Sequence, residues 1–202
     1  MKIVVIGATG TIGSAVAKLL GNKHEIIAVS RSSGDHRADI TDKASLEKVF
    51  AAIGKVDAIV SAAGSAAFKP LMALTDADFE KSLHDKLMGQ VNVVRLGAQH
   101  VLPGGAITIT SGLLAQEPTP GSAAISLVGA GLEGFARAAA LELKDAKVRV
   151  NVVSPPWVTE TLIAFKMDPS HGLPAADVAK AYLHSVEGGG TGQVIDARKT
   201  SP

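Results

Sequence analysis

The fold of this chain of 202 residues is decided by the stretch Gly7-Ala8-Thr9-Gly10-Thr11-Ile12-Gly13. An apolar run, Ile3–Ile6, precedes this stretch, and a segment with helical spacing, Ile12–Leu20, overlaps its end. Glycines at a strand-to-helix turn allow the backbone to approach a pyrophosphate, whose charge is attracted by free N–H groups and the helix dipole. Gly13 would allow the helix to pack closely on the strand. In this context the stretch predicts a dinucleotide-binding turn.

The rest of the chain repeats this order of strand and helix. Apolar runs, as expected of strands buried on both faces, are Ile3–Ile6, Ile26–Ser30, Ala58–Ser61, Ala106–Thr110 and Val148–Val153. Helical spacing is found in Ile12–Leu20, Lys43–Ile53, Asp76–His100 and Ser122–Lys144, and a final strand is expected at Gln193–Ala197. We therefore predict an α/β fold in one domain over residues 1–202, a Rossmann-type doubly wound parallel sheet of about seven strands between two helical layers.

The composition limits the class of function. A net charge of +1 and an aromatic content of 3% give no basis for a nucleic-acid partner. The absence of cysteine excludes disulfides and thiolate ligands, and we predict no metal site. The longest apolar stretch, Ser122–Leu132, is shorter than the roughly 20 residues of a membrane span, and the N-terminal run is too short for a signal peptide. We expect a cytoplasmic protein with no membrane partner.

The end of the second predicted strand indicates which dinucleotide is bound. Folds that choose NAD usually place an Asp or Glu there, where it holds the ribose 2′-hydroxyl. This chain has Ser30-Arg31-Ser32-Ser33, with no acidic residue before Asp35. The Arg31 guanidinium suits a 2′-phosphate, and the serines add hydroxyl donors. We predict NADP(H), with Arg31 and Ser32 among its ligands.

Six segments resemble the short-chain dehydrogenase/reductase family, in the family's order. Two are the glycine-rich stretch and the end of the second predicted strand, described above, and four more follow them. They are Ala38-Asp39-Ile40-Thr41, Ser61-Ala62-Ala63-Gly64, Ile107-Thr108-Ile109-Thr110-Ser111 and Arg149-Val150-Asn151-Val152-Val153-Ser154-Pro155. In the family these segments contact the adenine, flank the cofactor, end in the catalytic serine and lead into the nicotinamide loop. The resemblance runs from Met1 to about Ala197.

The resemblance implies that Ser111 orients a substrate carbonyl, and it implies a set of cofactor ligands. These are Gly7, Thr9, Gly10, Thr11, Ile12, Gly13, Asp39, Ile40, Ala62, Ala63, Gly64 and Pro155. In the nicotinamide loop the family's Pro-Gly is replaced by Pro155-Pro156. The family's threonine falls at Glu160, so either Thr159 or Thr161 is a candidate ligand of the carboxamide.

The chain departs from the family on the helix after the serine. There the family carries a Tyr-x-x-x-Lys pair, whose tyrosine is the general acid and whose lysine lowers the tyrosine pKa and holds the nicotinamide ribose. Similarity to this helix puts Ile125 at the tyrosine and Gly129 at the lysine. The chain's single tyrosine, Tyr182, lies far towards the C-terminus, where we expect it to pack on the last helix. We therefore predict that the usual proton donor is absent.

A lysine on the preceding helix is a candidate replacement. The family carries Asn-x-x-Gly there, with an asparagine that holds a proton-relay water, but this chain reads Lys86-Leu87-Met88-Gly89. We hypothesise that Lys86 replaces the lost cation. It would bind the ribose or, if desolvated, donate a proton with a depressed pKa. Lys86 and Ser111 are thus the catalytic candidates.

Two functions follow from these residues. The first is an NADP(H)-dependent oxidoreductase that acts on a small carbonyl or alcohol with an atypical proton donor, and we favour it. The second is a catalytically inactive NADP(H)-binding sensor or structural protein. The family's substrate lid falls near residues 157–173, with Trp157, Phe165 and Met167 as candidate pocket walls. We also predict a homodimer or homotetramer through the long helices 76–100 and 122–144.

Overall fold

The strands run parallel because each connection returns the chain to the same end of one sheet. The computed structural model describes residues 1–200. The strands are β1 (Lys2–Ile6), β2 (Glu25–Ser30), β3 (His36–Arg37), β4 (Val56–Ser61), β5 (Val101–Thr110), β6 (Arg149–Ser154) and β7 (Val194–Asp196). The helices are α1 (Thr11–Gly21), α2 (Lys43–Ile53), α3 (Asp76–Ser82), α4 (Gly89–Gly97), α5 (Ala123–Glu142), α6 (Thr159–Ala164) and α7 (Ala175–Glu187). The strand order is β3-β2-β1-β4-β5-β6-β7, so the predicted doubly wound sheet of seven strands is confirmed.

The two faces of the sheet are both covered by helices, which explains the apolar runs in the sequence. Successive residues of a strand point to opposite faces. In β1, Ile3 and Val5 pack with α1 and α7, whereas Val4 and Ile6 pack in the other core with α2, α4 and α5. All four side chains are buried. A central strand of this kind has no solvent-facing side, and its sequence therefore shows no alternation of apolar and polar residues.

The strand order reverses between β1 and β4, and this positions the candidate site. The chain leaves β1 towards β2 on one side and later returns to β4 on the other. In open α/β sheets a crevice opens at the carboxyl ends of the strands where the order reverses, and ligands bind there. The glycine-rich turn after Ile6 and the segment after Ser61 both lie at this point.

The predicted helix Asp76–His100 is wrong as a single element. The α-helix ends at Ser82, residues Leu83–Met88 form a π-helical turn, and α4 begins only at Gly89. The Ser82 hydroxyl donates to the Asp78 carbonyl at 2.6 Å and accepts the Ala67 N–H at 2.9 Å, a bond pattern that bends helices. Turns of the π type are frequent at functional sites, and this one carries Lys86.

Other element boundaries differ in smaller ways. β3 was not predicted, and its two residues are too few to carry a pattern. β5 begins at Val101, well before the predicted Ala106, and its pairing with β4 shifts register between Val56 and Ala58. The last strand spans only Val194–Asp196.

One helix has the length and hydropathy of a membrane span. The 20 residues of α5 reach a mean hydropathy of 1.3 over an 18-residue window, although the apolar stretch seen in the sequence is shorter. However, 44% of that window is buried inside the protein, where Val128 and Leu132 pack among the core side chains. Core helices of this kind pass the same test, so the hydropathy of α5 is weak support for a membrane span.

Candidate cofactor and catalytic site

The glycine-rich turn leaves no room for side chains at two positions. Gly7 has a φ of +85°, and a Cβ placed there would lie 2.9 Å from the carbonyl carbon and oxygen of Ala62. A Cβ on Gly13 would lie only 2.0 Å from the Gly7 carbonyl oxygen. α1 can therefore begin directly against the turn, with Gly10 as its N-cap and no capping side chain over its first N–H groups. These free donors and the helix dipole form an anion site.

A cleft of about 290 Å³ opens beside this turn, at the carboxyl ends of β1, β2 and β4. It brings together most of the predicted cofactor ligands: Gly7, Thr9, Gly10, Arg31, Ser32, Asp39, Ile40, Ala62, Ala63 and Gly64. Thr11, Ile12 and Gly13 form the first turn of α1 next to it. Ile6, Ser30, Ala38, Ser65 and Asp85 complete the lining. The cleft lies where one half of an extended dinucleotide would bind, because it runs from the uncapped N-terminus of α1 to the end of β2.

The loop after β2 directs Arg31 into the cleft and directs its nearest acidic residue, Asp35, away from it. Arg31 and Ser32 are exposed and line the cleft. Asp35 turns back instead, and its Oδ2 accepts the N–H of Ala28 at 2.8 Å. Gly34, with a φ of +95°, permits this turn. No ion pair joins Arg31 to any of the described residues, so its guanidinium is available to an anion.

Asp39 is held as an ionised acceptor in the wall of the cleft. Its Oδ1 accepts the backbone N–H of Thr41 at 2.9 Å and the Thr41 hydroxyl at 2.8 Å. These hydrogen bonds hold the pKa of Asp39 below its ordinary value, and the charge of Arg31 adds to the effect. The carboxylate is thus fixed in direction by its own loop.

Lys86 lies in the π-helical turn, against the segment that follows β4. The side chain is buried, with 8% of its surface exposed. A Cβ on Gly64 would meet the Lys86 Cα at 3.0 Å and its Cδ at 3.3 Å, so the lysine stem runs directly under a residue of the cleft wall. Burial lowers the pKa of Lys86 to about 8, and the neighbouring charge of Asp85 opposes that shift. The desolvation that the lysine hypothesis required is therefore present.

Asp85 is occupied by a different partner. Its Oδ2 accepts the Ser65 hydroxyl at 2.6 Å and the Ser65 N–H at 3.3 Å. No described carboxylate lies within 4.0 Å of the Lys86 ammonium. The ammonium is thus left to a ligand or to solvent.

Ser111 lies at the end of β5 and is joined to a buried glutamate. Its hydroxyl donates to Glu133 Oε1 at 3.2 Å, and Gln116 Nε2 donates to the same oxygen at 2.9 Å. Ser111 and Glu133 are each 7% exposed. Sequence reasoning missed Glu133, although a signal existed. It follows Ile125 and Gly129 at steps of four, on one face of α5.

The two positions predicted to correspond to the family's tyrosine and lysine, Ile125 and Gly129, carry no titratable group. Gly129 packs on the loop after β5, where a Cβ would lie 3.0 Å from the Ala115 Cβ. Ile125 is partly buried on α5. Their equivalence to the family's tyrosine and lysine stays a prediction.

Tyr182 lies on α7, the last helix, as expected, and it is fully buried. Its hydroxyl hydrogen-bonds to Thr110 Oγ1 at 2.7 Å, and burial raises its pKa far above the ordinary value. Residue 186, four positions later, is a valine. Tyr182 therefore has no exposed hydroxyl with which to protonate a substrate.

The nicotinamide loop is held mainly by contacts within the protein. Pro155 is buried, and its carbonyl accepts the Leu113 N–H at 2.8 Å. Thr159 begins α6 and contacts Gly172, where a Cβ would lie 2.7 Å from the Thr159 hydroxyl. Thr161 lies in the same short helix and is partly exposed. Both candidate threonines thus lie in α6, directly after the loop.

The lid region places one aromatic side chain against the rest of the site. Trp157 packs edge-on against Phe68, with ring centroids 5.2 Å apart. Phe68 also contacts the loop after β5, since a Cβ on Gly121 would lie 3.4 Å from its ring. Of the other predicted pocket walls, Phe165 is 63% exposed and Met167 is 42% exposed. Of the three predicted pocket walls, only Trp157 thus packs against a neighbouring loop.

These features define a Rossmann-type protein with a nucleotide cleft at the switch point of its sheet. A family model described as enoyl-(acyl carrier protein) reductase matches residues 7–188. The chain is 28% identical to carbonyl reductase family member 4 of Danio rerio, over an alignment of 223 residues that covers 95% of this chain and 94% of the relative.

Two solved structures are similar over nearly the whole chain. The protein lin1944 from Listeria innocua has a TM-score of 0.92 and 39% identity, with 97% of this chain and 98% of that one covered. A small-chain dehydrogenase in complex with NADPH has a TM-score of 0.85 and 28% identity, with 97% and 95% covered. The chain belongs to the short-chain dehydrogenase/reductase family. It is thus an oxidoreductase of a family that uses NAD(P)-type cofactors.

Proposed function

We propose that this chain is an NADP(H)-dependent oxidoreductase that interconverts a small carbonyl compound and its alcohol. The observation that carries the cofactor choice is the loop after β2. Arg31 faces the cleft without an ion-pair partner, whereas Asp35 is bound to the backbone of Ala28. A guanidinium in this position favours a 2′-phosphate, and no carboxylate is left there for a 2′-hydroxyl. The NADPH in one similar structure supports the same choice.

The turn and the helix that follows it fit a dinucleotide. Gly7 and Gly13 exclude side chains from the surface on which a pyrophosphate would lie, and the first N–H groups of α1 supply donors. Bound at this cleft, the nicotinamide would supply or accept the hydride. The protein must hold the carbonyl, exclude water and move a proton.

Ser111 and Lys86 are the side chains proposed for that work. Ser111 would orient the carbonyl oxygen from the end of β5. Lys86 would bind the nicotinamide ribose, replacing the family's lysine from a different helix. Its pKa of about 8 also makes it a candidate proton donor near neutral pH. The substrate class is supported by the name of one relative, a carbonyl reductase.

The test combines binding with turnover. Trp157 is the only tryptophan in the chain, so energy transfer from it to a reduced nicotinamide can report binding of NADPH and NADH separately. A panel of carbonyl compounds and quinones is then offered, and the nicotinamide absorbance is followed, with Ser111→Ala and Lys86→Ala as variants. We expect NADPH to bind more tightly than NADH. We also expect the unaltered protein to turn over a substrate, and both variants to do so more slowly.

Two results would contradict the proposal in different ways. Equal or tighter binding of NADH would remove the NADP(H) preference. Tight NADPH binding without turnover on any compound would favour the inactive sensor instead.

We also propose that the chain assembles as a homodimer or homotetramer through α3, α4 and α5. Large apolar side chains on α5 and on the π-helical turn between α3 and α4 stay exposed in the single chain: Leu83 (36%), Met88 (39%), Leu127 (50%) and Leu141 (76%). Light scattering on purified protein tests the assembly, and Leu127→Glu and Leu141→Glu should lower the measured mass. A single-chain mass for the unaltered protein would contradict it.

A further inference from the structure

Glu133 is a buried carboxyl group that the proposed function leaves without a role. It lies on α5, whose neighbouring residues are mainly alanine, glycine and apolar side chains. Burying a carboxylate is unfavourable unless hydrogen bonds compensate for the lost water. Glu133 has two such bonds on one oxygen, from Ser111 and from Gln116. A carboxyl group is therefore held directly against the proposed carbonyl-orienting serine.

The position of Glu133 on the helix brings its carboxyl group within hydrogen-bond distance of Ser111. Ile125, Gly129 and Glu133 follow one another at steps of four and share one face. The first two cannot exchange a proton, and Glu133 is the residue of this series that bonds to Ser111 at the end of β5.

The charge of Glu133 is not fixed by an ion pair. No described cation lies within 4.0 Å of its carboxylate, and Oε2 accepts no hydrogen bond from a described residue. Charged groups on the elements that pack against α5, and on α5 one turn further on, are Asp76, Asp78, Glu80, Lys81, His84, Asp85, Lys86, Arg95, Arg137 and Arg149. The carboxyl group of Glu133 is thus held by a hydroxyl and an amide, and not by a salt bridge.

We propose that Glu133 is a positioning residue that directs the Ser111 hydroxyl and exchanges a proton with it during the reaction, an inference that rests on the proposed function. When a carbonyl is reduced, a bound reduced nicotinamide would supply the hydride to its carbon, and the π electron pair would move to its oxygen. In this direction Glu133 is in its acid form, so the hydrogen bond seen in the structure is reversed: Glu133 donates to Ser111 Oγ, and the Ser111 hydroxyl gives its own proton to the carbonyl oxygen. Glu133 in its acid form then gives its proton to Ser111 Oγ, and the resulting carboxylate recovers a proton from solvent.

The reverse steps describe alcohol oxidation. The substrate hydroxyl passes its proton to Ser111 Oγ while the Ser111 proton moves to the Glu133 carboxylate. The hydride of the substrate C–H bond, with its electron pair, would be accepted by a bound oxidised nicotinamide. This arrangement leaves Lys86 to bind the ribose, so the two side chains have separate and separable effects.

The decisive variant is Glu133→Gln, because it removes the proton without removing the hydrogen-bond acceptor. A glutamine Oε1 in the same place still accepts from Ser111 and Gln116. If the glutamate were only structural, Glu133→Gln would keep the activity. The relay predicts a loss in kcat of about 10²-fold, with KM and NADPH affinity unchanged. Glu133→Asp should recover part of the loss, and Glu142→Gln, on the exposed end of the same helix, should have no effect.

A second measurement does not depend on turnover. In cofactor-free protein labelled with ¹³C at the glutamate carboxyl carbons, the Glu133 signal is assigned by its loss in Glu133→Gln. We expect this signal to move in Ser111→Ala, because the hydrogen bond is lost. An unmoved signal would show that the two side chains are not joined and would overturn the proposal.

The outcomes separate this proposal from the proposed function. Unaltered kcat in a folded Glu133→Gln protein, with the parent protein active, overturns the relay alone. No turnover in the parent protein, with NADPH bound, overturns the oxidoreductase and the relay together.

Discussion

The backbone N–H of Ala28 donates to the Asp35 carboxylate at 2.8 Å, so the first acidic side chain after β2 is used to close its own loop. Asp35 does not line the cleft, but Arg31 does. The hydrogen bond thus explains how a loop that contains both Arg31 and Asp35 presents only the cation to the cleft. The preference for NADP(H) would then follow from the loop's conformation as much as from its composition.

Arg31→Ala is expected to weaken NADPH binding about 10- to 100-fold, the loss of one charge-assisted contact worth about 1.5–3 kcal/mol. NADH binding should change little, because a 2′-hydroxyl carries no charge to pair with Arg31. Titration calorimetry with both cofactors measures the two effects. Arg37→Ala is the matched control, since Arg37 lies on β3 outside the cleft. Equal losses for both cofactors would place Arg31 on the pyrophosphate or show a general disturbance of the loop.

Gly13→Ala should be destabilising, because its methyl group would lie 2.0 Å from the Gly7 carbonyl oxygen and α1 would have to move. Overpacking of this kind costs about 1–3 kcal/mol, and the same displacement should disrupt cofactor binding. Gly134→Ala is the control. It lies inside α5 with nothing within 4 Å of the added Cβ, so it should stabilise the helix by about 0.5–1 kcal/mol. Urea unfolding compares the two variants, and a neutral Gly13→Ala would contradict the close packing described here.

The central strands and the glycine turn could be predicted from the sequence because their causes are local. β1 and β4 are buried on both faces, so nearly every residue is apolar and the run is visible. β3 pairs through only two residues, and the first half of β5 contains Pro103, Gly104 and Gly105, so neither shows an apolar run.

The catalytic end of the site was harder to predict because its contacts are distant in sequence. The break between α3 and α4 depends on Ala67 and on Ile40, whose side chain fills the space where Gly89 has no Cβ. Glu133 resembles a surface residue in sequence, and only the fold brings it to Ser111, 22 positions away. The burial of Lys86 likewise follows from the packing of Gly64.

The buried ammonium of Lys86 should make stability depend on pH. Its pKa falls from 10.5 to about 8 on folding, so between these values the unfolded chain binds more protons than the folded one. The free energy of unfolding contributed by this group therefore rises with pH across that window, by at most about 1.4 kcal/mol per pH unit.

The comparison with Lys86→Met isolates the effect from the other lysines. Below about pH 8 the variant should be the more stable protein, because it buries no charge. The difference should shrink as the pH rises towards 10.5. Thermal unfolding at a series of pH values measures it, and a difference that does not vary with pH would mean that the ammonium is solvated or paired.

Tyr182→Phe tests whether the chain's one tyrosine takes part in the reaction. Its hydroxyl is fully buried and bonds to Thr110 Oγ1, which itself donates to the Ser61 carbonyl at 2.6 Å. Removing the hydroxyl should lower the free energy of unfolding by about 1 kcal/mol, the usual net contribution of one hydrogen bond. Turnover should be unchanged, because burial keeps this hydroxyl protonated and away from the cleft. A loss of kcat larger than that of Ser111→Ala would make Tyr182 the proton donor after all. The carboxyl relay through Ser111 would then be unnecessary.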